Sequence, residues 1–144
     1  MGVRTAIERA FLRAHQGIYE GTGGVLGHRL VGVPCLLLRT TGAKTGRTRT
    51  AALVYASDGD DYVVTASNGG DDRAPGWLHN VRAEPRVEVQ VARQRFPAIA
   101  RVITHDDPEY ARLWTLVNER NRHRYEGYQR RTTRPIPVVA LTPA

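Results

Sequence analysis

The residues with chemical potential fall in two loops, a short apolar-polar segment and a pair of tyrosines. The first loop, Thr41-Gly42-Ala43-Lys44-Thr45-Gly46-Arg47-Thr48-Arg49, mixes glycines, hydroxyls and three fixed positive charges. Gly42 and Gly46 let backbone N–H groups converge on an anion, as in a nest. Lys44 adds an ammonium, and Arg47 and Arg49 add forked donors that match phosphate or carboxylate. The loop is not a Walker A element, because the Gly-x-x-x-x-Gly-Lys-Ser/Thr spacing is absent. By spacing alone it reads equally as an anion cradle or as a solvated basic turn.

The second loop, Ser67-Asn68-Gly69-Gly70, ends a strand-like run. Glycines there permit a flat ligand to approach the backbone closely, or simply make a turn. It leads to Pro75-Gly76-Trp77-Leu78-His79-Asn80, where Trp77 suits a core position better than a ligand platform, and Asn80 can present an amide to a ring edge. Tyr125 and Tyr128 lie three apart, where two phenols can form an aromatic wall or donate a proton. Partial burial of amphipathic rings is the plainer reading. The scattered histidines, including His79, have no partner at metal spacing, so no metal site is expected. Asp60-Asp61 and Asp71-Asp72 read as solvated loop acids. Cys35, the single cysteine, sits in an apolar run and reads as a buried small hydrophobe.

These loops need a scaffold. At 144 residues, with 41% hydrophobic and 24% charged residues, the chain suits one globular domain. Ile7, Ala10, Phe11 and Ala14 recur at helical spacing, so residues 1–30 read as an amphipathic helix at about 4–16 and a glycine-rich connection. That basic helix packs on the domain or touches a membrane surface or partner. From residue 31 to 144 the pattern is mainly β. Cys35–Arg39, Thr50–Tyr55, Tyr62–Thr65, Arg86–Val91, Arg95–Ile103 and Ile136–Leu141 read as strands. The second and third join through an Asp58-Gly59 turn, and the fourth and fifth alternate strictly, as a half-buried hairpin does. Pro75 opens a short helix to Ala83, and Thr104–Pro108 opens another through Tyr110, Leu113, Trp114 and Val117. The expected fold is therefore α+β: about six mostly antiparallel strands in a small barrel with peripheral helices. The +7 net charge, carried by twenty arginines and Lys44, points to anionic partners. No run suits a membrane span or a secretory leader, so a cytoplasmic location is expected.

Five motifs in order resemble the deazaflavin-dependent nitroreductases, also called coenzyme F-420-dependent quinone reductases. They are Thr-Gly-x-Lys-Thr-Gly-x-x-Arg from Thr41, the Asp58-Gly59 hairpin, Ala-Ser-x-Gly-Gly from Ala66, Pro-x-Trp-x-x-Asn from Pro75, and Tyr-x-x-Tyr-Gln from Tyr125. The resemblance spans about residues 33–143 and implies the split β-barrel of the flavin-like oxidoreductases. It implies that Ala43, Lys44, Thr45, Arg49 and the strand Thr50, Ala51, Ala52, Leu53 and Val54 hold the phosphate and acidic tail of coenzyme F-420. Thr65, Ala66, Ser67 and Asn68 would line the deazaflavin ring, with Gly76, Trp77, Leu78, His79 and Asn80 binding it from the short helix. Tyr125 and Tyr128 would flank the substrate, with Tyr125, Tyr128 and Ser67 as the catalytic set. Hydride would pass to a quinone, a nitroaromatic or another activated acceptor. The chain departs from the family pattern at Ala43, at Asn68 where lysine is usual, and at Arg122 where a third tyrosine is expected. The last concerns the substrate side. An FMN-binding split-barrel oxidoreductase is the alternative. A basic module for nucleic acid is disfavoured, because aromatics are not interleaved with the arginines. Spacing leaves monomer and homodimer equally open.

Overall fold

The computed structural model describes residues 33–144. The helix expected at 4–16 and its connection lie outside them. The elements are β1 (Cys35–Thr41), β2 (Thr48–Val54), β3 (Ala56–Asp58), β4 (Asp61–Thr65), α1 (Gly76–Ala83), β5 (Arg86–Val91), β6 (Gln94–Ile103), α2 (Tyr110–Arg120), α3 (Arg124–Gln129) and β7 (Val138–Pro143). A 3-10 turn covers Asn68–Gly70. All strands join one antiparallel sheet in the order β2-β1-β5-β6-β7-β4-β3. The sheet curls until β2, at one edge, comes near β4, beside the other. The barrel is therefore split there, and the edge backbone of β2 faces the split.

Two expectations need correction. The strand count among the described residues is seven, against about six expected, the added one being the short β3. The run Thr50–Tyr55 does not turn directly onto Tyr62–Thr65; β2 pairs with β1, and the separate β3 pairs with β4. The break falls at Tyr55, whose N–H leaves the ladder for the Pro34 carbonyl at 3.1 Å. Second, Thr104 does not cap a helix. α2 starts at Tyr110, and Asp107 Oδ1 accepts the Glu109 N–H instead. The stretch after the charged run, which the sequence left unassigned, forms a helix of its own, α3. Arg122 and His123, both left-handed at φ 57° and 61°, turn the chain out of α2 and into it.

Two apolar layers cover the two faces of the sheet. Leu36, Leu38, Val64, Val87, Val89, Ala98, Val139 and Leu141 fill the barrel and meet Trp77, Leu78 and Val81 of α1. On the other face, Val63, Ile103, Val138 and Ala140 meet Leu113, Val117 and Tyr125 of α2 and α3. The continuous apolar run of β1 follows from this, since Leu36 and Leu38 face the barrel while Cys35 and Leu37 pack with Ala52 behind it. Burial pushes the Cys35 thiol up to about 12, so it stays a neutral hydrophobe as expected.

Candidate active site

The basic loop is folded tightly on itself. The Gly42 N–H donates to the Arg47 carbonyl at 2.7 Å, and the Gly46 N–H to the Gly42 carbonyl at 2.8 Å. Thr45 Oγ1 accepts the Arg47 N–H at 3.2 Å. A Cβ on Gly42 would lie 2.9 Å from Thr45 Oγ1 and 3.0 Å from the Arg47 carbonyl, so the turn has no room for a side chain there. Ala43, Lys44, Thr45, Arg47 and Arg49 are all exposed. Lys44, Arg47 and Arg49 make no ion pair among the described residues. Three uncompensated cations in six residues give this loop a concentrated positive charge.

Asn80 fixes this loop to α1. Its Oδ1 accepts the Ala43 N–H at 2.9 Å, and its Nδ2 donates to Thr40 Oγ1 at 3.0 Å. The side chain is buried and commits both ends of its amide to the protein. Its position therefore suits holding the cradle in shape. Thr40, which no sequence signal marked, is its buried partner. Asn80→Ala is expected to leave the Ala43 N–H and the Thr40 hydroxyl without partners. The cost is about 1–3 kcal/mol, read as a lower thermal midpoint.

Pairing register divides the strand after the loop. Arg49 lies opposite Thr40, Ala51 opposite Leu38 and Leu53 opposite Leu36. Directly opposed residues share a face, so Arg49, Ala51 and Leu53 project to the barrel side with Asn80. Thr50, Ala52 and Val54 project to the other side. Those three can meet a ligand in the split only through the β2 backbone.

The second loop is held from behind. Arg134 Nη1 donates to the Ala66 carbonyl at 3.2 Å, and Nη2 to the carbonyls of Ser67 at 3.0 Å and Asp71 at 3.2 Å. Its Nε adds a 3.3 Å bond to Asp71. Burial pulls the Arg134 pKa down, and Asp71 and Asp72 oppose that shift. Arg131 Nη1 donates to the Gly69 carbonyl at 3.0 Å, and its guanidinium lies 5.3 Å from the Tyr128 ring centre. Thr132 Oγ1 donates to Asp72 at 2.7 Å. The basic run 130–134 thus commits two of its arginines to backbone carbonyls of this loop, Arg134 half-buried and Arg131 at the surface. Asp71, expected to be solvated, is buried and accepts the Arg73 N–H. Asn68 adopts φ 46°, which asparagine tolerates, and its Nδ2 bonds the Arg73 carbonyl at 3.0 Å. Its amide therefore shapes the loop.

The remaining residues divide between surface and core. Gly76 and His79 are exposed on α1, while Trp77 and Leu78 belong to the barrel core. Ala66 and Ser67 are buried at the end of β4. Thr65 points to the helical face, where its Oγ1 lies by the Tyr125 hydroxyl. Tyr125 is buried, and desolvation raises its pKa well above the usual range; contacts with Asn121 and Thr65 oppose this. Neither Thr65 Oγ1 nor Asn121 Oδ1 completes a well-formed hydrogen bond there. Tyr128 is half-buried, its ring centre 6.1 Å from that of Tyr125. Of the two phenols, Tyr128 is the less buried, and its backbone packs against Gly70. A groove of about 520 Å³ opens beside Asp60, Asp61 and Tyr62, at the other end of β4. Its acids give it the wrong charge for a polyanion.

The split barrel thus has a cationic loop at one place and a close-approach glycine loop at another. α1 connects them, with Asn80 against the first and Pro75-Gly76 following the second. Fold and site together define a split β-barrel protein with a cradle suited to an elongated, anionic cofactor. The family model for F420H(2)-dependent quinone reductase matches residues 11–143, and the chain belongs to that family. An F420H(2)-dependent quinone reductase of Mycobacterium tuberculosis (strain H37Rv) is 57% identical over 132 residues, covering 91% of this chain and 89% of that one. Among solved structures, an F420-H2 dependent reductase is 37% identical with a TM-score of 0.67, covering 75% of this chain and 93% of its own. A structure described as a domain-swapped dimer is 32% identical with a TM-score of 0.70, covering 93% of this chain and 98% of its own. No helix among the described residues is long and apolar enough to cross a membrane.

Proposed function

We propose that this protein is a reductase that uses reduced coenzyme F-420 to reduce a quinone. The observation that carries the reading is the trio Lys44, Arg47 and Arg49, uncompensated in a loop that Asn80 locks to α1. A phosphate and an acidic tail need such cations, and the residues present fit them. Gly69 and Gly70 fit the flat end, because they bare the backbone of the loop after β4. When bound, the deazaflavin supplies a hydride to the acceptor.

The chain's own work is then binding, orientation and proton supply. Lys44 and Arg49 hold the anionic tail, helped by Ala43 and Thr45 and by the β2 edge from Thr50 to Val54. The backbone of Thr65, Ala66, Ser67 and Asn68 borders the ring, and Gly76 to Asn80 bound it from α1. Trp77 and Leu78 support that wall from the core. Tyr128 lines the acceptor side. Tyr125 sits under it, and its buried hydroxyl keeps its proton in this conformation. Ser67, Tyr128 or solvent supplies the proton that the reduced acceptor takes up. Most of the acceleration comes from holding donor and acceptor in contact away from water.

An absorbance-monitored titration with the coenzyme and with FMN, followed by turnover with menadione, tests this. Micromolar or tighter binding of the coenzyme and its menadione-dependent oxidation are expected. Binding no stronger than to an unrelated basic protein rejects the reading. A flavin spectrum retained through purification assigns FMN instead. Extending the turnover assay to nitroaromatics reads what Arg122 does at the substrate side.

A further inference from the structure

The guanidinium of Arg134 makes four hydrogen bonds to three backbone carbonyls, at 3.0–3.3 Å, and all three belong to one loop. Such use of an arginine is specific. Its planar fork presents five donors in fixed directions, which no other side chain reproduces. The arginine is itself held. Gln129 Nε2 donates to the carbonyls of Arg134 at 2.8 Å and Thr132 at 3.3 Å, and Gln129 Oε1 accepts the Ile136 N–H at 2.9 Å. The Arg134 N–H donates to Thr132 Oγ1 at 3.1 Å. A chain of bonds thus runs from α3 through Gln129 to Arg134 and on to Ala66, Ser67 and Asp71.

The consequence falls on the other side of the loop. With the carbonyls of Ala66, Ser67 and Asp71 drawn toward Arg134, the N–H groups of Ser67, Asn68 and Gly69 are left without a protein acceptor among the described residues. The positive charge against the Ala66 and Ser67 carbonyls polarises the two peptide units they belong to and strengthens the Ser67 and Asn68 N–H donors. We infer that Arg134 is a positioning residue for the coenzyme: it orders the Ser67–Gly70 backbone so that its N–H groups serve the bound ring. The inference rests on the reading of this loop as the ring site. Arg134 touches neither coenzyme nor acceptor in this assignment, so it acts through the loop alone.

The test compares Arg134→Met and Arg134→Lys with the unaltered full-length protein. Amide hydrogen exchange of residues 67–71 is measured without ligand, coenzyme Kd by titration, and kcat and KM with menadione. Exchange of the 67–71 amides is expected to quicken in both variants. Coenzyme Kd is expected to rise roughly tenfold or more in Arg134→Met, the loss of at least one charged hydrogen bond. Arg134→Lys is expected to recover only a minor part, because a lysine cannot serve three carbonyls at once. KM for menadione should stay within about twofold, since acceptor binding is assigned to Tyr128 and the part of this loop facing the acceptor, the Ser67 hydroxyl, serves proton supply and would show in kcat. A merely structural role predicts a lower thermal midpoint with Kd unchanged at temperatures where the variant is folded, and that result overturns the inference. So does full recovery by lysine. If the unaltered protein fails to bind the coenzyme at all, the functional reading falls by itself, while the exchange data still report whether Arg134 orders the loop.

Discussion

Replacing Lys44 and Arg49 together by alanine is expected to weaken coenzyme binding by about 3 kcal/mol or more, on the order of a hundredfold in Kd. A hydrogen bond to a charged group contributes about 1.5–3 kcal/mol net, and two are removed. Solvent exposure of both side chains places the effect near the lower end of their sum. The fold should not suffer, since neither cation has an ion-pair partner among the described residues. Isothermal titration alongside thermal melting separates the two effects. The loss should shrink as salt rises, because exposed charge attraction is screened beyond about 8–10 Å at physiological ionic strength. Arg49→Lys is informative beside the double variant: it keeps the charge and removes the fork, so a partial loss assigns the bidentate geometry its share. A change in Kd below about twofold for the double variant would place the anionic tail elsewhere.

Gly70→Ala is expected to cost roughly 2–5 kcal/mol and to disturb the ring end of the cradle. Two effects add. Gly70 adopts φ +84°, a conformation that L side chains rarely take. A Cβ there would also lie 2.7 Å from the Tyr128 carbonyl oxygen and 3.0 Å from its Cα. These are backbone atoms of α3, so relief requires the loop and the helix to move apart. Such a shift pulls against the Arg131 bond to the Gly69 carbonyl and the Arg134 bonds beside it. Gly46→Ala serves as the control. It carries a similar φ of +72° with nothing within 4 Å of the added Cβ, so it reports the conformational cost alone, about 1–2 kcal/mol. Calorimetric midpoints of both variants decide the matter. For a chain of this size the difference should appear as a fall on the order of 10 °C in Gly70→Ala. Equal midpoints would mean that the contact with α3 relaxes without cost.

The sequence determined what depends on neighbours along the chain. Strict alternation in Arg86–Val91 and Arg95–Ile103 placed β5 and β6, because a strand buried on one face has period two. The apolar run Cys35–Arg39 marked a strand. The glycines and cations of residues 42–49 marked a tight basic loop, since backbone freedom and fixed charge are properties of residue type. The order of five motifs announced the family.

Tertiary structure decided what depends on partners far apart in the chain. It made β2 fold back on β1 and gave β4 a different partner, a choice between pairings that local pattern leaves equal. It gave Asn80 a part that spacing does not show, as the buried tie between Thr40 and Ala43, some forty residues away. It sank the Tyr125 hydroxyl beneath α3, where desolvation holds its proton, and left Tyr128 nearer the surface. It also took Arg134 from the basic run 130–134 and aimed it at three carbonyls more than sixty residues upstream. Charge and hydrogen-bonding capacity are written in the residue, but which groups satisfy them is fixed only when the sheet closes and brings the loop after β4 against the strap after α3.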